Sequence, residues 1–194
     1  MFTDYNSNQC ISVDFSREFR YCLESGIDPM PASDLSKLRL SVPMTETSGE
    51  MYTELSVGGN TVTGSPAEIL TAVEAAVDDC NPDILVCSTS QTIPTLYEMA
   101  TSAGIEDFTL SRWSDVGYQQ LASRSTYSSY GRVGHSPARY NVPGRAIIDE
   151  SNTFFYGKTN LDGVLDLVSR SKKPIQELAW TRSCGSWTRG CRDV

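Results

Sequence analysis

The most unusual stretch of the sequence is a segment rich in arginine and tyrosine in its second half. Planar rings alternate there with arginines, and glycine and serine are frequent between them. Guanidinium groups suit phosphate oxygens, planar rings suit unstacked bases, and glycines let a ligand approach the backbone closely. We therefore predict nucleic-acid contacts by Arg124, Tyr130, Arg132, His135, Arg139, Tyr140 and Arg145. The alternative is a solvated loop whose arginines pair with the acidic first half of the chain.

No pattern predicts a catalytic nucleophile. His135 is the only histidine, and it stands in a Gly/Pro-rich stretch without a recognisable nucleophile beside it. Ser169 and Lys172 have S-x-x-K spacing but lack the companion motifs, and no phosphate-binding loop or dinucleotide fingerprint occurs. We expect no catalytic residue in this chain and no small-molecule substrate.

The carboxylates do not stand where two-metal phosphoryl chemistry needs them. Such chemistry requires several carboxylates that converge from the first strand and from later elements. The predicted first strand, residues 38–42, contains none, and neither does the stretch 87–91 after the predicted central strand. The remaining candidates are scattered: Glu46, Asp83, Asp149, Glu150, Asp162 and Asp166. We expect no metal ligands.

Six cysteines are present, but their spacing does not indicate a disulfide framework or a zinc site. There is no CxxC motif, and a single histidine leaves almost no ligands for a Cys/His site. Free thiols in a reducing compartment are expected for Cys10, Cys22, Cys80, Cys87, Cys184 and Cys191. The N-terminal residues lack the pattern of a secretory signal, and no apolar run is long enough to span a membrane. We expect a cytoplasmic protein without a membrane partner.

Charge is distributed unevenly along the chain. Residues 1–110 carry 17 acidic and 4 basic side chains, a net of −13, whereas residues 111–194 carry 7 acidic and 12 basic ones, a net of +5. Only four of the 16 basic residues are lysines. An acidic surface poor in lysine is typical of a halophilic source, and a GC-rich genome is the alternative explanation. Charge of this kind concerns solubility and partners, not fold.

Hydrophobic patterning predicts the elements that position these residues. Alternating stretches indicate a meander of strands at 38–42, 51–57 and 61–63, and a continuous apolar run indicates a buried strand at 83–87. Further strands are expected at 108–110 and 145–148, with an antiparallel return at 154–156. Capping residues and helical spacing predict helices at 66–79, 94–103, 161–169 and 175–180.

The order of these elements indicates a fold class. Meander, helix, buried strand, helix and strand is the order of a ribonuclease-H-like α/β fold. We therefore predict a mixed sheet flanked by helices, of the 3′–5′ exonuclease type. Residues 111–145 interrupt it as an irregular basic loop segment.

Three stretches carry a resemblance to a known family. They are PDILVCSTS at 82–90, SSYGRVGHSPARYNVPGRAIID at 128–149 and LDLVSRSKKPIQELAW at 165–180. Together they resemble the exonuclease-like region of family B DNA polymerases, in the branch found in haloarchaea. The resemblance implies a 3′–5′ exonuclease-type domain that precedes the polymerase palm, and Mg²⁺ as the cofactor of full-length members.

The motifs of that family are largely absent. Its first exonuclease motif is Asp-x-Glu on a strand, where residues 39–41 of this chain read Arg-Leu-Ser. Its second, Asn-x-x-x-Phe-Asp, is answered by Ser-Thr-Ser-Gln at 88–91, and its third, Tyr-x-x-x-Asp, has no clear counterpart. Asp149 aligns with a family aspartate that is not a metal ligand. The resemblance therefore implies a domain without exonuclease catalysis and without a cofactor of its own.

The resemblance also implies how the chain is organised. We expect an N-terminal segment at 1–36, an exonuclease-like domain at 37–180 and an aberrant, disordered tail at 181–194, as in a polymerase gene truncated before the palm. The expected function is weak DNA binding by a fragment of a DNA-directed DNA polymerase. Two alternatives stay open: an active metal-dependent nuclease with relocated acids such as Asp83 and Asp149, and a stand-alone module that binds nucleic acid or a replication partner.

Overall fold

A mixed five-stranded sheet with helices on both faces forms the centre of the molecule. The computed structural model describes residues 17–42, 54–114, 116–129, 132–153 and 156–179. The strands are β1 (Lys37–Ser41), β2 (Glu54–Val57), β3 (Asn60–Thr63), β4 (Ile84–Cys87), β5 (Gln119–Ala122), β6 (Ser125–Ser129), β7 (Arg132–Ser136), β8 (Arg139–Asn141) and β9 (Ala146–Asp149). The helices are α1 (Arg17–Ser25), α2 (Pro66–Cys80), α3 (Thr92–Ala103), α4 (Tyr156–Ser171) and α5 (Ile175–Ala179).

The order of strands in the main sheet is β3-β2-β1-β4-β9. β1, β2 and β3 form an antiparallel meander, and β4 and β9 then extend the sheet parallel to β1. Successive side chains of these strands point to opposite faces. One face packs with α2 and α3 around residues such as Leu40, Leu85 and Ile147, and the other packs with α4 and α5 around Val86 and Ile148. The predicted mixed sheet flanked by helices is therefore confirmed.

Local sequence signals explain where α2 and the β2–β3 turn begin and end. The Ser65 backbone N–H donates to Glu68 Oε2 (2.7 Å), and the Glu68 N–H donates to Ser65 Oγ (3.4 Å), so the predicted capping box is present. The helix ends where Asn81 takes a left-handed conformation, with φ of 35°. Gly58 and Gly59, with φ of 59° and 92°, form the two-residue turn that joins β2 to β3.

Three predicted elements differ from the structure. Residues 108–110 do not form a strand; Phe108 and Leu110 are buried, and the Leu110 N–H donates to the Tyr97 hydroxyl (3.1 Å). Tyr156 begins α4 instead of ending an antiparallel return, because its ring packs under the sheet at the start of that helix. Residues 111–145, expected to be irregular, contain four strands. Residues 154 and 155 lie outside the described part.

A break at Asn160 divides α4. Asn160 has φ of 52° and ψ of −153°, and the regular helix follows it with Leu161, Val164 and Val168 buried on one face. This agrees with the prediction that Asn160 precedes the helix. Further along, the Gln176 side chain of α5 accepts a hydrogen bond from the Ile147 N–H (2.7 Å) and donates to the Ile147 carbonyl (3.0 Å). It thereby satisfies backbone groups of β9 that a further strand would otherwise pair.

The N-terminal segment contributes α1, which is attached to the end of α4. Lys172 pairs with Asp28 (2.9 Å), and the Lys173 ammonium lies 5.4 Å from the Phe19 ring centroid. Within the described ranges, no helix is long and apolar enough to cross a membrane. Cys22, Cys80 and Cys87 are free thiols, as expected. The predictions for Glu46, for residues 51–53, for Cys10, Cys184 and Cys191, and for the tail at 181–194 fall outside the described residues.

Candidate nucleic-acid interface

Four strands between α3 and β9 form one nested β-hairpin, which we call the arm (residues 119–141). β5 pairs with β8 at its base, and β6 pairs with β7 beyond them, both antiparallel. The ladder shifts register between Gln120 and Ala122. The prediction of an irregular segment was wrong here, because backbone pairing holds the arm together. A Ser/Tyr/Gly-rich sequence gives little of the hydrophobic alternation by which strands are recognised.

The arm lies in a stretch of the chain that contains no acid. Residues 116–148 include no Asp or Glu but four arginines, whereas the whole chain has a net charge of −8. A concentration of one charge sign on a projecting element attracts the opposite charge and raises its local concentration. The arm is therefore an acid-free stretch with arginines in a chain that is acidic overall.

Tyrosine rings attach the base of the arm to α3. Tyr140 on β8 meets Tyr118 edge-on (centroids 5.6 Å apart), Tyr118 packs on Tyr97 (4.6 Å), and Tyr97 packs edge-on against Phe108 (5.2 Å). Burial raises the pKa of the Tyr140 hydroxyl, so the ring stays neutral. Tyr140 is only partly accessible, and its ring positions the arm on the body of the protein.

Three of the predicted contact residues are exposed on the arm. Arg124 precedes β6, and Arg139 lies on β8 at the base. His135 is exposed on β7, where its Nδ1 lies 3.0 Å from the hydroxyl of Thr126, its partner in register. These three side chains are thus exposed along one continuous element. Arg132 occupies the first position of β7, and Tyr130 lies outside the described residues.

Arg145 is placed differently from the other predicted contact residues. It is only 8% exposed, and its guanidinium donates to the Leu110 carbonyl (2.7 Å), to Asn81 Oδ1 (3.0 Å) and to the Pro82 carbonyl. Burial, and then the neighbouring positive charge of Arg112, lower its pKa. These donors are fixed inside the protein, so Arg145 supports the fold and is not positioned to meet a phosphate.

A crevice lies beside the base of the arm, at the carboxyl ends of β4 and β9. Its lining includes Thr89, Ser90, Arg139, Tyr140, Asp149 and Asn152. The Asp149 carboxylate accepts hydrogen bonds from the Ser151 N–H (2.9 Å), the Ser151 hydroxyl (2.6 Å) and the Asn152 amide. Cys87 also lines the crevice. Burial raises the pKa of its thiol, which therefore stays protonated and is not a nucleophile.

The acids proposed for an active nuclease are far apart. Asp83 directly precedes β4, whereas Asp149 is level with Cys87 at the other end of that strand. Four residues of extended chain separate the two levels, about 13 Å, and paired metals lie only about 4 Å apart. Asp166 pairs with Arg170 on the surface of α4. Among the residues that the structure describes, no group of three or more His, Cys, Asp or Glu side chains is placed to hold a metal ion.

Two features of interest were not predicted from the sequence. Arg39 on β1 forms an ion pair with Glu150, just after β9, although 111 positions separate them. Trp113 is 54% exposed in the loop that precedes the arm. A tryptophan among Ser, Arg and Asp was a usable signal for an exposed ring, whereas no local pattern identifies the partner of Arg39.

No protein-family model matches the chain, and no curated protein matches it.

Proposed function

We propose that this chain is a DNA-binding domain of the exonuclease-like type found in family B DNA polymerases, without catalysis of its own. The sheet order β3-β2-β1-β4-β9, with a meander followed by two parallel strands, fits a ribonuclease-H-like fold and agrees with the resemblance at residues 82–180. In this proposal the sheet is a scaffold, and the arm that leaves it between α3 and β9 is the contact element.

The observation that carries the proposal is the exposed, acid-free arm. Arg124 and Arg139 are exposed on it, and His135 stands between them along the chain. Guanidinium groups bind phosphate oxygens through parallel hydrogen bonds, and these contacts give affinity without sequence specificity. Arg132 and Tyr130 remain proposed contacts. Tyr140 and Arg145 act indirectly, since one positions the base of the arm and the other fixes the chain just beyond it.

Binding should depend steeply on salt. The test is fluorescence anisotropy of a labelled oligothymidylate across a range of salt concentrations. Each phosphate contact contributes about −0.7 to the slope of log affinity against log salt for single strands. The double variant Arg124→Ala/Arg139→Ala should bind about tenfold more weakly at low salt and should lose about 1.4 from that slope.

The matched control is Arg170→Ala, which removes an exposed arginine on α4, outside the arm. It should leave both affinity and slope close to the wild-type values. Absence of binding at low salt, or an equal loss in the control and the arm variant, would show that the arm is not the DNA-binding element.

Catalysis is tested separately with a labelled single strand and Mg²⁺ or Mn²⁺. We expect the strand to remain intact, because both oxygens of Asp149 are engaged by its own turn and Asp83 lies at the opposite end of the sheet. Turnover that disappears in Asp149→Ala would instead support the nuclease alternative.

A further inference from the structure

Arg39 and Glu150 meet across three strands of the sheet. Arg39 on β1 is in register with Val86 on β4, which is in register with Ile148 on β9. Glu150 follows two residues later, and its backbone N–H donates to the Cys87 carbonyl (2.9 Å) at the end of β4. Side chains two residues apart lie on the same face of a strand. Arg39 and Glu150 are thus directed to the same side of the sheet, at its carboxyl edge.

The contact between them engages the whole carboxylate. Arg39 Nε lies 3.1 Å from each oxygen of Glu150, and Nη2 lies 2.7 Å from Oε2. The hydrogen bonds that Arg39 donates to Glu150 raise the pKa of Arg39 above its usual value, so the guanidinium stays charged. Tyr156 lies on the same face, and burial, then the Glu150 charge, raise the pKa of its hydroxyl. The local arrangement is one fixed positive charge, one neutralised carboxylate and a neutral ring.

This donor set does not fit the Mg²⁺ that the family resemblance implies. Magnesium requires carboxylate oxygens that are free to bind it. Glu150 is engaged by Arg39, and Asp149, a second carboxylate at this edge among the described residues, is engaged by Ser151 and Asn152. The resemblance aligns Arg39 with the aspartate of the family's first motif, so a positive side chain stands where a negative ligand is expected.

We propose that Arg39 is the resident cation of the carboxyl edge: its guanidinium takes the electrostatic place of a divalent metal ion and, by holding both oxygens of Glu150, excludes such ions. The inference rests on the ribonuclease-H-like arrangement proposed above, but its test uses no nucleic acid. If the arm fails to bind DNA, the proposal for Arg39 still stands. If the Mn²⁺ test fails, the proposal of DNA binding by the arm still stands.

The test measures binding of Mn²⁺ alone, by the loss of the free-ion electron paramagnetic resonance signal. Wild type should show no saturable site. Arg39→Asp removes the resident cation and adds a carboxylate on the same face of the sheet as Glu150. We therefore expect one saturable Mn²⁺ site, at least about tenfold tighter than any wild-type binding. Adding Glu150→Gln to Arg39→Asp should abolish it.

Arg170→Asp is the matched control, because it makes the same charge change beside a carboxylate, Asp166, on the surface of α4. It should not create a site. If Arg39→Asp proves unfolded by circular dichroism, Arg39→Asn replaces it, with a weaker but still saturable site expected. A folded Arg39 variant that binds no Mn²⁺ would overturn the proposal, as would a saturable wild-type site that Glu150→Gln removes.

Discussion

The two ends of the parallel strands both carry arginines, yet the surroundings of these arginines differ. At the amino end, Arg145 is buried, and Arg112 pairs with Asp83 through a 2.6 Å contact. At the carboxyl end, the Arg39 side chain is 47% exposed in its pair with Glu150, and Arg139 is exposed beside the crevice. Backbone carbonyls and the Asn81 side chain hold Arg145, and Asp83 and Asn81 hold Arg112, whereas Arg39 and Arg139 lie at the surface. The acceptors inside the protein that surround an arginine, and not the residue type, therefore decide whether its guanidinium is exposed to a ligand.

The amino end is a closed network that joins distant segments. The Asn81 side chain accepts from both Arg145 (3.0 Å) and Arg112 (3.3 Å). Arg112 donates to Asp83 Oδ1, and Asp83 Oδ2 accepts from the backbone N–H and the hydroxyl of Ser36, both at 2.9 Å. The start of β1, the end of α2 and the loop before the arm are thereby held at one point. An arm that contacts a ligand needs such a rigid attachment.

The largest expected effect is at Arg145. Arg145→Met fills a similar volume but removes the donor to the carbonyls of Leu110 and Pro82, and it leaves the Asn81 amide oxygen with Arg112 as its remaining donor. Each buried acceptor left unpaired costs about 1–3 kcal/mol, so the free energy of unfolding should fall by about 3 kcal/mol in urea denaturation.

Arg124→Met is the comparison for Arg145→Met, because Arg124 is exposed on the arm. It should change the free energy of unfolding by no more than about 0.5 kcal/mol. Equal stability losses in the two variants would remove the distinction between supporting and available arginines.

Local signals explain why much of the sheet could be predicted. The alternation at 38–42, the apolar run at 84–87 and the Ser65 capping box each lie within a few residues, and each corresponds to an element in the structure. The arm has no such signal, since its strands are defined by partners in register. The residue types of the arm therefore predict its basic character but not its strands.

The roles of individual arginines depend on contacts that no local pattern shows. Arg145 was grouped with the arm because it follows a run of Gly, Tyr and Arg. Its acceptors Leu110 and Pro82 lie 35 and 63 positions away, and the partner of Arg39 lies 111 positions away. Only the folded sheet brings these groups together, so the sequence predicts a basic segment but not which of its members are exposed.

An intermediate effect is expected at Asp83, and it should depend on pH. Hydrogen bonds, first from Arg112 and then from Ser36, lower the pKa of Asp83 below its unfolded value. The carboxylate therefore stabilises the fold at neutral pH, and that stabilisation is lost as the pH falls below about 4 through the folded pKa. Asp83→Asn should cost about 1 kcal/mol at neutral pH, after allowance for its partial exposure, and the difference from wild type should vanish in acid.

Urea denaturation at several pH values measures this difference. Asp166→Asn serves as the control, because Asp166 pairs with Arg170 on an exposed helix surface. Its effect should be smaller at neutral pH. A gap between Asp83→Asn and wild type that stays constant down to strongly acidic pH would contradict the assigned role of the Arg112–Asp83 pair.

Only a small effect on stability is expected at Arg39, where the proposed role is electrostatic and not structural. Partly exposed ion pairs contribute between about 0 and 1 kcal/mol, because solvent screens them and both side chains lose freedom. Arg39→Gln should therefore lower the free energy of unfolding by only about 0.5 kcal/mol, despite its three short contacts with Glu150. A loss as large as that of Arg145→Met would mean that the carboxyl edge is as closed as the amino edge. The two ends would then differ in exposure alone, and the resident cation would be a structural residue.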